Sequence, residues 1–171
     1  LHSQGHLAEA YSAFKEQIRL SRILQNDATL MIGLTALARV LADQGRLKQA
    51  RDLLEKSLAE ARQKRVRNQG FIARTEAHLG ALLCEQNELE AAHHLLSNAL
   101  THSRYWLNPN HMASIYVYLA RVQLAQGDLQ AAWTTICEAD RIRRKAQLSP
   151  WIENSLDAEI LRMWLALRSG G

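Results

Sequence analysis

Apolar and small residues recur along this chain at helical spacing, and their register restarts several times. One stripe runs Leu47, Ala50, Leu53, Leu54, Leu58 and Ala61, and another runs Leu89, Ala92, Leu95, Leu96, Ala99 and Leu100. The same register places Leu7, Ala10, Ala13, Phe14 and Ile18 near the start, and Leu129, Ala132, Ile136 and Ala139 further on. Residues three and four apart share a helix face, so each stripe predicts an amphipathic helix buried on one side. Ahead of the later stripes run further amphipathic segments: Met31 to Gln44 with Leu34, Leu37, Ala38 and Leu41, Thr75 to Gln86 with Leu79, Gly80, Leu82 and Leu83, and Tyr116 to Gln126.

A short phrase opens each stripe: Gly5-His6-Leu7-Ala8-Glu9-Ala10, Gly45-Arg46-Leu47-Lys48-Gln49-Ala50, Asn87-Glu88-Leu89-Glu90-Ala91-Ala92 and Gly127-Asp128-Leu129-Gln130-Ala131-Ala132. Their first residues stand 40, 42 and 40 apart, which marks a repeat array. Glycine tolerates the left-handed conformation that closes a helix, and asparagine is the next-best residue for it, so each phrase predicts a tight turn between two helices. A helix pair cannot bury its apolar face alone and must stack on its neighbours. The expected architecture is all-α, a solenoid of antiparallel helix pairs filling residues 1–171 as one domain, with repeat boundaries near 26, 68, 108 and 148. Polar connections such as Lys64 to Gln69 and Trp106 to Asn110 join the units, and Asn108-Pro109 and Ser149-Pro150 predict helix starts. At the ends, Leu1 to Gly5 is expected to be the tail of one helix and Ser149 to Arg168 a helix without its partner. An array severed at both ends predicts self-association through its uncapped apolar faces.

Composition narrows the class. With 47% hydrophobic residues, 22% charged and two prolines, the chain is an ordered helical protein, not a disordered tail. No apolar run is long enough to cross a bilayer, and no signal segment opens the chain. The net charge of +4 gathers in Arg62-Gln63-Lys64-Arg65-Val66-Arg67 and Arg141-Ile142-Arg143-Arg144-Lys145, at expected helix ends where cations complement the helix dipole. Neither stretch is interleaved with aromatics as a nucleic-acid surface would be. Cys84 and Cys137 have no paired spacing and are expected to be small buried hydrophobes in a reducing, cytoplasmic setting.

Catalytic and metal chemistry find little support. His93 and His94 diverge by about 100 degrees on a helix and have no histidine or carboxylate four residues on, so a shared metal ligand face is not expected of them, nor of His78, His102 or His111. Nothing in the spacing puts a histidine beside either cysteine, and the carboxylates are scattered on polar faces. No enzyme activity, metal or cofactor is expected. Trp106, Trp133, Trp151 and Trp164, with Tyr105, Tyr116 and Tyr118, cluster in the latter half, either filling interhelical space or forming a stacking platform for a ligand.

Leu37-Ala38, Leu79-Gly80 and Leu119-Ala120, with Ala50, Ala92 and Ala132 twelve residues beyond the small residue of each pair, resemble the tetratricopeptide repeat (TPR) family. The period is about six residues longer than that family's unit of about 34 and lacks its closing proline. The phrase Leu124-Ala125-Gln126-Gly127-Asp128-Leu129-Gln130-Ala131-Ala132-Trp133 and the segment Ala158 to Ala166 are similar to the repeat region of large bacterial transcriptional activators of the MalT and LuxR type. The resemblance implies a right-handed superhelix whose first helices line a concave surface, and a role in sensing a small-molecule effector or regulatory protein. DNA contact would belong to another part of such a protein, since no nucleotide-binding loop or DNA-recognition helix is present here. On that concave surface the resemblance places Arg39, Arg121 and Arg162, which share one register, and Arg74 about two turns earlier in its helix. Repetition would stack their guanidinium groups along one groove, with Asp43 and Glu85 holding them or merely solvating the groove alongside them. The alternative is a plain TPR scaffold that holds a peptide without switching.

Overall fold

The computed structural model describes residues 2–63, 69–103 and 108–147, with side chains from His6 onward. These residues form seven helices and no strand: α1 (His2–Ile23), α2 (Asp27–Asp43), α3 (Leu47–Gln63), α4 (Gln69–Glu85), α5 (Leu89–Ser103), α6 (Pro109–Ala125) and α7 (Leu129–Lys145). The expected all-α array of paired helices is the one observed.

The turns work as the glycine and asparagine positions predict. Gly45, Asn87 and Gly127 have φ of 74°, 62° and 84°. At the first of these, the Gly45 amide donates to Ala42 O at 2.8 Å and the Arg46 amide to Leu41 O at 2.9 Å, a pair of bonds that satisfies the last carbonyls of α2. The pattern recurs at Asn87 and Gly127, and also at Gln25, whose φ of 50° closes α1 with no glycine to announce it. Asn26, Asn108 and Asp128 then cap the next helices, each accepting from backbone amides two or three residues on.

Gly5 departs from expectation. It lies inside α1, which runs unbroken from His2 to Ile23. There it continues the helix, at a cost of about 1 kcal/mol relative to alanine.

Consecutive helices pack on one another, and α4 also touches both α2 and α6, whereas α1, α3, α5 and α7 do not reach each other's backbones. The array therefore curves with α2, α4 and α6 inside and the others splayed on the outside. Small residues set the spacing: Ala50, Ala92 and Ala132 have no exposed surface, and the larger Leu54, Leu96 and Ile136 one turn later are also buried. A main core runs from α1 to α6, and a second cluster of Val117, Ala120, Ala132, Ile136 and Ala139 joins α6 to α7. Trp133 and Tyr116 each pack half-buried on that second cluster, as interhelical filling predicts. Trp106, Trp151, Trp164, Tyr105 and the helix start at Ser149-Pro150 lie outside the described residues. Cys84 is half-buried, but Cys137 is exposed, contrary to expectation. The buried stripe of α7 runs through Ala132, Ile136 and Ala139, and one step beyond Ile136 turns the side chain about 100 degrees off that face.

Repeat-to-repeat ties appear that the pattern of apolar positions does not reveal. Gln44, Gln86 and Gln126 each precede the turn residue, and each side chain touches the previous outer helix: Leu7 O, Arg51 and the Glu90 carboxylate. Arg51 also bridges from α3 to Glu88, at the start of α5. Deeper in the same furrow, Glu76 of α4 is fully buried, accepting from Arg62 Nη2 of α3 at 3.1 Å and from His102 Nδ1 of α5 at 2.8 Å.

Candidate functional site

The inner helices α2, α4 and α6 enclose a concave groove of about 410 Å³. Its depth has a simple origin. Arg39 on α2 and Arg121 on α6 occupy the same repeat position, and the equivalent residue of α4, between them, is Ala81. Ala38, Ala42 and Ala50 keep the floor low, and Leu54 and Leu82 close it. The two arginines therefore flank a gap; they do not form the continuous guanidinium stack that repetition alone implies.

Four of the six residues singled out from the sequence line this groove: Arg39, Asp43, Glu85 and Arg121. Asp43 and Glu85 are register equivalents on α2 and α4 and both are exposed, so the acids stand together toward one end of the inner helices. Arg39 is exposed and Arg121 half-buried. Arg74 is placed one recess along, in a smaller hollow of about 130 Å³ that it shares with Arg39, His78 and His111. Arg162 lies outside the described residues.

His78 and Tyr118 join the groove although the sequence did not mark them as a pair. They are register equivalents on α4 and α6, and their rings sit 6.3 Å apart at 57°, a tilted contact that makes an aromatic wall. The signal was available: a histidine and a tyrosine recur 40 residues apart on the inner helices. On α4 beside the groove, burial pushes the Cys84 thiol up, and the Arg121 cation acts in the opposite direction. A site with planar cationic donors, carboxylate acceptors, an aromatic wall and an apolar floor can hold a ligand carrying both polar groups and an apolar or ring face. Its volume falls within the range of roughly 300–1,000 Å³ typical of small-molecule sites.

Among the described residues no helix is long and apolar enough to cross a membrane. No curated protein matches the chain. Solved structures of similar fold include BtubC (BKLC) from P. vanneervenii, with a TM-score of 0.66 and 18% identity over 81% of this chain. The chain spans 57% of that protein's length. A kinesin light chain from Podosopora anserina with nearly identical TPR-like repeats is similar in two crystal structures, one of a point variant. Their TM-scores are 0.68 and 0.67 at 19% identity, covering 98% of this chain and 81% of theirs. At these identities the likeness is one of fold, a stack of TPR-like helix pairs. The family model of the MalT-like TPR region matches residues 1–169, nearly the whole chain, and the chain belongs to that family.

Proposed function

We propose that this chain is the sensing module of a bacterial transcriptional regulator of the MalT and LuxR type, binding a small-molecule effector or a regulatory protein in its concave groove. The observation that carries this reading is the convergence of Arg39, Asp43, Glu85 and Arg121 with the His78–Tyr118 wall over a low alanine floor. Each inner helix contributes to the groove, so an occupant touches three repeats at once. A ligand that fits one curvature of the array better than another shifts the population toward it, and with it the placement of whatever flanks the repeats. Arg74, next to the groove, extends the cationic surface for a longer occupant.

The competing reading is a rigid TPR scaffold for a peptide. Differential scanning fluorimetry against a panel of metabolites and a tiled peptide library separates the two. A small molecule that raises the melting temperature supports sensing, because stabilisation by a native-state ligand grows as RT ln(1 + [L]/Kd). Arg39→Ala and Arg121→Ala should each weaken the response with helix content unchanged. Undiminished affinity in both variants would remove the groove from the proposal.

A further inference from the structure

The outer furrows between successive repeats differ from one another in a way that points to a second binding surface. The furrow between α3 and α5 is closed internally: Arg51 reaches Glu88, and Arg62 meets the buried Glu76. Moved back by one repeat, the same positions on the preceding furrow read Tyr11 for Arg51, Arg46 for Glu88, Arg22 for Arg62 and Leu34 for Glu76. Every internal carboxylate of the closed furrow is replaced, one by a cation and one by a leucine. The Tyr11 ring accordingly has two cations near its face, Lys15 Nζ at 5.4 Å and Arg46 Cζ at 5.1 Å from its centroid.

What remains is an open furrow of about 670 Å³ between α1 and α3. Ile18, Leu34, Leu37 and Leu53 make its floor, and Lys15, Arg19 and Arg22, all exposed, stand along the α1 wall. Glu16 is held by Arg19, with bonds of 2.8 and 2.6 Å. Glu60 occupies the place of His102 on α3 and forms no ion pair with Arg22 among the described residues. Ile23, next to Arg22 at the end of α1, is 64% exposed. Leucine floor and cationic rim together complement an occupant that is apolar on one side and acidic on the other.

We propose that the α1–α3 furrow docks a short acidic segment of a partner protein, its carboxylates on Lys15 and Arg22 and its alternate apolar side chains on Ile18, Leu34, Leu37 and Leu53. From Tyr11 to Arg22 the wall is about 16 Å long at 1.5 Å per residue, which matches roughly five residues of extended chain at 3.3 Å each. In an extended segment successive side chains point to opposite sides, so one set meets the floor while the other meets the rim. This surface is on the outside of the array and does not depend on the concave groove.

The test is selection of random heptapeptides on the whole chain, followed by fluorescence anisotropy of a labelled winner. The expected winners alternate Asp or Glu with large aliphatic residues, and their affinity falls about tenfold or more in Lys15→Glu/Arg22→Glu. Arg39→Ala/Arg121→Ala should leave that affinity unchanged. Leu34→Glu, which places in this furrow the carboxylate that Glu76 supplies in the next, should also abolish binding in a variant whose circular dichroism matches the parent. Winners without acidic bias, undiminished binding to the charge-reversed variant, or loss confined to the concave variants would each overturn the proposal. So would phosphatidylglycerol vesicles that sediment the parent chain but not the charge-reversed variant with no peptide selected, since the rim would then serve a lipid surface.

Discussion

Replacing Gly80 by alanine tests how closely α4 and α5 approach. A Cβ built on Gly80 would lie 2.8 Å from Leu96 Cγ, 3.2 Å from Leu96 Cδ2 and 3.3 Å from the Ala92 carbonyl oxygen. The nearest atom is the branch point of a side chain with no exposed surface, and the third is backbone, so neither can swing aside. Relief requires a new Leu96 rotamer or separation of the helices by a few tenths of an ångström, the kind of overpacking that costs about 1–3 kcal/mol. The gain in helix propensity from Gly to Ala, about 0.5–1 kcal/mol, opposes this and leaves a net loss of about 1 kcal/mol, up to about 2.5 kcal/mol if the helices do not relax. In a chain of this size that lowers the melting temperature by roughly 2–4 °C for each kcal/mol, read by circular dichroism at 222 nm. Two further variants separate the mechanisms. Leu96→Ala in the Gly80→Ala background should lose less than the sum of the single losses, because the added methyl then fills space that Leu96 vacated. Gly45→Ala, with φ of 74° and nothing within 4 Å, should cost about 1 kcal/mol from backbone strain alone. A Gly80→Ala protein as stable as the parent, or more so, would refute the close approach and with it the account of why glycine stands where Ala38 and Ala120 stand in the other repeats.

His102→Ala removes one of the two donors to the buried Glu76 carboxylate and should cost about 1–3 kcal/mol by urea unfolding, with a double-mutant cycle against Arg62→Ala showing coupling; additive losses would deny that the three groups act together. Asn26→Ala deletes the cap whose side chain accepts from the Thr29 amide at 3.0 Å, and an expected loss of about 0.5–2 kcal/mol in the same assay would be contradicted by an unchanged midpoint. Labelling with a thiol reagent should modify exposed Cys137 first and Cys84 slowly; because burial raises the Cys84 thiol and the thiolate is the reactive form, its rate should still be climbing with pH beyond the ordinary thiol range, and equal rates for the two would contradict the burial.

Much of the array was legible from residue spacing because the interactions behind it are local. A stripe such as Leu47, Ala50, Leu54, Leu58 specifies a helix face through neighbours three and four residues away, and Gly45 or Gly127 closes the preceding helix with bonds spanning six residues at most. Gly5 shows the limit of that logic, since the same residue and phrase lie there inside a continuous helix. Gln25 shows it from the other side, adopting a left-handed conformation that the pattern did not flag.

Residue order by itself determined the helices, the turns at Gly45, Asn87 and Gly127, the repeat period and the shared register that brings Arg39, Asp43, Glu85 and Arg121 to the inner helices. Tertiary structure alone decided which residues meet across repeats: the His78–Tyr118 wall, the gap over Ala81, the burial of Glu76 between Arg62 and His102, and the open furrow where Leu34 takes that glutamate's place. The physical reason is distance along the chain. Groups some 40 residues apart meet only through the rotation and separation of packed helices, and those depend on how side chains such as Gly80 and Leu96 fit, which a one-dimensional period does not encode.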